Sequence, residues 1–144
     1  MKYLVALLSL VSTSVFSQIE VSEAWSRATP PGAKVAAGYL LIRNKAAAPD
    51  RLVSASSPAA ARVQTHVTEK QGEVMRMREV KGYDVPAKGS FELKPTGAHL
   101  MLVDIKRPFK AGEKIPLVLR FENAGEINTE LEVKALGATG EHSH

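Results

Sequence analysis

The chain has 144 residues, a length that suits a single domain. Hydrophobic residues make up 44% and charged residues 24%, as in an ordinary folded protein. Cysteine is absent, which excludes a disulfide framework, a zinc finger, an iron–sulfur cluster, a cysteine nucleophile and a thiolate-dependent blue-copper site. The formal net charge of +4 comes from basic residues scattered among acidic ones, whereas nucleic-acid binding would require a clustered basic stripe.

The first seventeen residues have the pattern of a secretory signal. Lys2 is the only charged residue before Glu20, and a short apolar run over residues 4–11 follows it. This run is too short to cross a bilayer, which needs about 20 residues. No cysteine is present to carry a lipid. We therefore expect a periplasmic chain that is cleaved between Ser17 and Gln18 and is not inserted stably in the membrane.

The rest of the chain is expected to form one all-β domain over residues 18–136. Residues 59–63 have the composition of a helix start, but Val63, Thr65 and Val67 alternate as in a strand. Turn signals separate the predicted strands at intervals of about 8–12 residues, which is typical of an antiparallel sandwich or barrel. The small, polar residues 137–144 are expected to form a flexible tail. The nine predicted strands lie in residues 19–25, 35–43, 51–56, 63–67, 74–80, 90–93, 98–105, 115–121 and 127–133.

Histidine and methionine are confined to a few segments of the expected mature chain. Strand alternation places His99 and Met101 on one face of their predicted strand, and Leu100 and Leu102 on the other, core-facing side. No carboxylate lies between residues 98 and 103.

Alternation likewise places Met75 and Met77 together, opposite Arg76 and Arg78. If the strands around residues 71–72 pair as a hairpin, His66 comes near Met75 or Met77. Two imidazoles and two thioethers would then converge. Each motif also has an ordinary interpretation, since Met75 and Met77 can be packing residues and a His-x-Met strand can be surface or core.

This set of donors selects among metals. Thioethers are soft, neutral ligands suited to Cu(I), and imidazole suits copper in either oxidation state. Zinc more usually binds Cys, His or carboxylate, and calcium and magnesium prefer oxygen. The residues therefore indicate copper.

The spacing of His66, Met77, His99 and Met101 follows the pattern H-x10-M-x21-H-x-M, which resembles the periplasmic copper chaperones of the PCu(A)C family. The resemblance extends over residues 19–133. It implies a cupredoxin-like Greek-key β-sandwich that binds Cu(I) through these four side chains. Further matching segments are Ala24–Arg27, Ala36–Tyr39, Ser57–Ala59, Met75–Met77 and Gly97–Met101.

The same resemblance implies partners. Family members deliver copper to cytochrome c oxidase, to the binuclear centre of its subunit II, directly or through a thiol-containing chaperone. We expect this chain to act as a monomer. The family often has Met directly after the first His, where this chain has Val67, so Met75 is a candidate substitute ligand.

The end of the chain carries a candidate second copper site. His142 and His144, with a terminal carboxylate, offer the nitrogen and oxygen donors that Cu(II) favours. The alternative is a solvated polar terminus. Some family members have His- or Met-rich extensions, which this short one resembles.

Other functional classes predict features that the sequence lacks. A copper monooxygenase brace uses an N-terminal His, but the expected mature terminus is Gln18. Ser-His-Asp hydrolysis requires an oriented base, and neither His66 nor His99 has a recognisable orienting partner nearby in sequence. An adhesion or sugar-binding sandwich would expose aromatic platforms, yet the chain has one Trp. We therefore expect a non-enzymatic copper carrier, with copper sequestration as the alternative role.

Overall fold

The computed structural model describes residues 18–137 of the chain. The predicted signal, residues 1–17, and the tail from residue 138, with His142 and His144, lie outside the described residues. The regular elements of the described part are all β-strands, and it contains no helix that could cross a membrane. Its ten strands are β1 (Ile19–Arg27), β2 (Val35–Asn44), β3 (Asp50–Ser56), β4 (Ala60–Gln71), β5 (Val74–Glu79), β6 (Tyr83–Val85), β7 (Ser90–Leu93), β8 (His99–Ile105), β9 (Lys114–Phe121) and β10 (Gly125–Lys134).

Seven of these strands form a barrel in the order β4-β8-β2-β1-β10-β9-β3. The barrel closes where β3 pairs with β4, with Ala55 opposite Val63. All neighbouring strands are antiparallel except β1 and β10, which pair in parallel with Trp25 opposite Glu132. The remaining strands attach outside this order: β5 extends β4 as a hairpin, β6 pairs with β3, and β7 pairs with β2.

The barrel interior is built by strand alternation. In β9, buried apolar residues alternate with more exposed ones, so that one face lies in the core and the other faces outward. Phe109 closes the core from the loop before β9. Removal of this apolar surface from water, at about 25 cal/mol per Å2, is the main force that holds the barrel together. The residues that β8 and β9 contribute to the core are Leu100, Leu102, Ile105, Ile115, Leu117, Leu119 and Phe121.

The prediction of an all-β, cupredoxin-like domain is confirmed. Residues 60–71 form a strand and not a helix, as the alternation indicated. The predicted number of strands, nine, was one too low, because the sequence did not reveal β6. This strand is only three residues long and lies between Gly82 and Pro86, where turn signals dominate. The parallel pairing of β1 with β10 was not foreseen, because alternation does not reveal the direction of a neighbouring strand.

Candidate metal centre

The predicted copper ligands lie on three adjacent strands, β5, β4 and β8. His66 of β4 is directly opposite His99 of β8, and Gln64 is opposite Met101. Residues opposite each other in an antiparallel pair project from the same face of the sheet. His66, His99 and Met101 therefore share the outer face of the barrel, while Leu100 and Leu102 are wholly buried on the core face, as predicted.

The two imidazole rings form a close pair. Their centroids are 5.5 Å apart and their planes are tilted by 55°. His99 is only 4% exposed, whereas His66 is half-buried. The expectation that neither histidine has an orienting partner nearby in sequence was wrong. The His66 Nε2–H donates to Gln64 Oε1 at 3.0 Å, and the His99 Nδ1–H donates to the Gly97 carbonyl at 3.2 Å.

The other nitrogen of each ring has no hydrogen-bond partner among the described residues. These atoms are His66 Nδ1 and His99 Nε2, and both are buried. A neutral imidazole that donates from one nitrogen presents a lone pair on the other. A buried polar atom without a partner is costly and rare, so each requires an explanation. Two nitrogen lone pairs without hydrogen-bond partners, on adjacent rings, fit a metal ion that binds two nitrogen ligands.

The surroundings of His66 favour the neutral ring that binds metal. Burial lowers the pKa of His66, and electrostatic repulsion from the neighbouring His99 lowers it further. Glu79, directly opposite His66 in the hairpin, acts in the other direction and raises that pKa. The net lowering favours the neutral imidazole, which is the ligand form. Sequence reasoning missed Glu79 because its significance depends on the register between β4 and β5.

The predicted hairpin is present, and it carries both methionines on the face of His66. Met77 is opposite Thr68 and Met75 is opposite Lys70. With a rise of about 3.3 Å per residue, Met77 lies about 7 Å along the strand from the level of His66, and Met75 about 13 Å. Both are well exposed, Met77 at 60% and Met75 at 55%. The structure thus brings the histidines together and leaves these thioethers at an open edge.

Met101 lies on the other side of the histidine pair from Met77. Its partner Gln64 precedes His66 in β4, whereas the partner of Met77, Thr68, follows His66. Among residues 18–137, no group of three or more His, Cys, Asp or Glu side chains is arranged to hold a metal ion. The additional ligands that the sequence predicted on this face are the thioethers of Met77 and Met101.

Tyr83 supports both histidines from the core side and was not foreseen from the sequence. Its hydroxyl lies 2.6 Å from the His66 carbonyl and 2.7 Å from the His99 carbonyl, and its single hydrogen is shared between the two acceptors in a three-centre hydrogen bond. Burial raises the pKa of Tyr83 far above its usual value, so the hydroxyl remains a donor. No motif marks this residue, because its role depends on where the short strand β6 lies.

Known proteins resemble this chain in both sequence and fold. A family model described as "Putative lipoprotein LpqE-like" matches residues 19–133. A protein of Leifsonia xyli named "Putative lipoprotein Lxx21020" is 33% identical over 125 residues, which cover 86% of this chain and 74% of that protein. The solution structure of the Cu(I) form of DR1885 from Deinococcus radiodurans is 31% identical, with a TM-score of 0.64, and the match covers 82% of this chain and 78% of that one. This chain belongs to the LpqE-like, PCuAC family.

A copper-bound PCuAC domain, from PmoF2, has the same fold. It superposes with a TM-score of 0.72 at 29% identity, over 85% of this chain and 97% of that domain. The predicted family is therefore confirmed, together with its β-fold. The word lipoprotein in the family description is typical of exported proteins and agrees with an exported PCuAC protein.

Proposed function

We propose that this PCuAC protein is a copper chaperone that binds one Cu(I) ion through His66, Met77, His99 and Met101. The observation that carries the proposal is the pair of buried, unpaired ring nitrogens beside thioether donors. Neutral imidazole and thioether ligands suit Cu(I) and would give the bound ion no compensating negative charge. The solved relatives, one copper-bound and one in a Cu(I) form, support the proposal.

The register of the hairpin favours Met77 over Met75 as the ligand from β5. Met77 lies two residues from Glu79, the residue opposite His66, whereas Met75 lies four residues from it. A flexible thioether side chain can adjust its rotamers to reach a metal near the His66 ring. Met75 would require a larger movement of the hairpin.

We also propose that the protein passes its copper on. Met77 is 60% exposed on the edge strand β5, so a partner can approach the proposed ion from that side. Neutral ligands hold Cu(I) without a thiolate, so a thiolate-bearing acceptor should displace them.

The proposed acceptors are subunit II of cytochrome c oxidase and a thiol-containing chaperone. The protein would act in the periplasm as a monomer after cleavage near Ser17, and would bind and transfer copper without catalysing a reaction.

A Cu(I) titration under a competing chelator tests the binding. We expect tight one-to-one binding by the wild type and clearly weaker loading by the Met101→Ile variant with an unchanged apo fold. X-ray absorption of the Cu(I) form should show mixed sulfur and nitrogen scattering. A shell of nitrogen and oxygen alone would contradict the ligand set.

Copper transfer requires a separate measurement. The Cu(I)-loaded protein is mixed with a reduced, apo soluble copper domain of an oxidase or with a reduced thiol chaperone, and the metal is followed by separation of the two proteins. Transfer within minutes is expected. Retention of copper against both acceptors would favour sequestration.

For the histidine-containing tail we propose a separate Cu(II) site at His142 and His144. Deletion of residues 140–144 should weaken Cu(II) binding and leave Cu(I) binding intact, because imidazole and carboxylate donors suit Cu(II). Unchanged Cu(II) binding in the deletion variant would mean that these histidines are only solvated residues.

A further inference from the structure

We propose that Tyr83 is a positioning residue of the copper site, whose single hydroxyl fixes the spacing of the two histidine ligands. This inference rests on the proposed Cu(I) site. Tyr83 touches neither unpaired ring nitrogen; it acts through the backbone of His66 and His99. The residue is 4% exposed and belongs to the hydrophobic core.

The hydroxyl joins the two ligand strands at the level of the ligands. One oxygen lies 2.6 Å from the His66 carbonyl and 2.7 Å from the His99 carbonyl. The two histidines are also the last pair of the β4–β8 ladder, since β8 begins at His99. A sheet end tends to fray unless it is tied down. The Thr68 N–H donates to the Gly97 carbonyl just beyond the histidines, and Tyr83 adds a second tie at the level of the two rings.

The tyrosine is itself held in place from two sides. Its ring stacks on Phe91 of β7, with centroids 4.9 Å apart and planes within 20° of parallel. The preceding Gly82 has a φ of 99°, and a Cβ there would overlap the Leu52 carbonyl oxygen. Only glycine therefore lets the chain pass this close to β3 and direct Tyr83 inward.

Thr65 of β4 fixes the approach to Tyr83. Its hydroxyl donates to the Val80 carbonyl and accepts from the Gly82 N–H, while its own carbonyl accepts from the Val80 N–H. Thr65 directly precedes His66. The strand β4, which carries this proposed copper ligand, therefore also holds residues 80–82, and these lead into Tyr83. Thr65 thus holds the segment before Tyr83, and Tyr83 in turn contacts the carbonyl of His66, the residue after Thr65.

A metal site is sensitive to such support. Ligands must be held within about 0.5 Å of a productive geometry, and loss of outer partners typically costs 10–100-fold in metal affinity. Removal of the Tyr83 hydroxyl would leave the ring stack and the backbone ladder intact, but the His66 and His99 carbonyls would lose their shared donor and the two histidines could shift relative to each other. The expected consequence is a weaker and faster-exchanging Cu(I) site in a folded protein.

The test compares Tyr83→Phe with Ser57→Ala. Ser57 is a matched control, because its buried hydroxyl donates to the Pro116 carbonyl at 2.6 Å on a part of the barrel remote from the histidines. Cu(I) affinity is measured with a competing chelator, and the apo proteins are compared by NMR of the imidazole ring resonances. We expect about a 10–100-fold weaker Cu(I) affinity and broadened His66 and His99 resonances in Tyr83→Phe only.

The two readouts separate the proposals. If Tyr83→Phe matches Ser57→Ala in affinity and in the imidazole spectrum, Tyr83 has only a structural role and the inference is overturned. If the wild type itself fails to bind Cu(I), the proposed function fails, and the apo spectra alone decide whether Tyr83 orders the two rings. Should Tyr83→Phe not fold, Thr65→Val loosens the segment before Tyr83 without changing the tyrosine, and the same two readouts apply.

Discussion

The two halves of the candidate site are built in opposite ways. The histidine half lies on the outer face of β4 and β8, two strands with neighbours on both sides, where each ring donates one hydrogen bond and Tyr83 joins the two backbones. The other, methionine half is Met77 on β5, since Met101 lies with His99 on β8, and β5 is an edge strand in which every residue is exposed. Met77 has no such framework and is 60% exposed.

The difference separates two physical tasks. Rigid imidazoles with their lone pairs already oriented reduce the entropy lost on metal binding, which favours affinity. An unbranched, polarisable thioether on an open edge can adapt its rotamers and remains accessible to an incoming ligand. The proposed chaperone therefore has its rigid histidine ligands on β4 and β8 and an accessible ligand, Met77, on β5, and variants of the two kinds of ligand should differ accordingly.

Loss of a histidine should have the largest effect. His99→Ala removes the most deeply buried donor, and we expect Cu(I) affinity to fall by more than about 100-fold, beyond the range typical of outer partners. Competition with a Cu(I) chelator measures the change. Circular dichroism of the apo variant provides the control for folding. A folded His99→Ala protein with near wild-type affinity would remove the histidine half from the site.

The methionine half is tested by an internally matched pair. Met77 and Met75 lie on the same strand and face with similar exposure. Met77→Ile should weaken Cu(I) binding by about 10–100-fold, since it removes a donor, and Met75→Ile should change it by no more than about twofold. The reverse order of effects would identify Met75 as the ligand and require the hairpin to bend over the histidines.

A smaller effect is expected at the orienting partner of His66. Gln64→Leu removes the acceptor for the His66 Nε2–H, so that the ring is free to turn. Because Gln64 is only half-buried, water can replace part of this bond, and we expect a loss of Cu(I) affinity of about tenfold at most. Gln64→Glu retains an acceptor and serves as the control. Equal losses in both variants would show that the hydrogen bond does not orient the ring.

The smallest effect concerns the stability of the apo protein at mildly acidic pH. Because the pKa of His66 is lowered in the fold, the unfolded chain takes up this proton first as the pH falls through about 6.5. The free energy of unfolding should therefore decrease from neutral pH downward and level off once folded His66 is also protonated.

Thermal unfolding of apo wild type and His66→Gln, measured at a series of pH values, checks this sign. The variant should lack this part of the pH dependence. A wild type that becomes more stable on acidification through this range would contradict it.

The sequence was sufficient to predict which face of a strand each side chain occupies, but not which strands are neighbours or in what register they pair. Alternation correctly separated His99 and Met101 from Leu100 and Leu102, and the turn at residues 71–72 correctly predicted the β4–β5 hairpin. The exact opposition of His66 and His99 required the β4–β8 register, which joins segments about 30 residues apart and leaves no local signal.

Supporting residues were the least predictable. Tyr83 reaches the histidine carbonyls from a strand of three residues, and Glu79 faces His66 only through the hairpin register. Their contributions arise from tertiary position and not from residue type or spacing. Whether His66, Met77, His99 and Met101 together bind copper stays a prediction for the experiments above.

The parallel pairing of β1 with β10 has a consequence for the timing of folding. Trp25 must find its partner Glu132 about 100 residues later in the chain, so the barrel cannot close before its last strand is available. Non-local closure of this kind is intrinsically slow in all-β proteins. For an exported chain this delay is useful, because the polypeptide remains unfolded until almost all of it has been synthesised, and an unfolded chain can pass through an export channel.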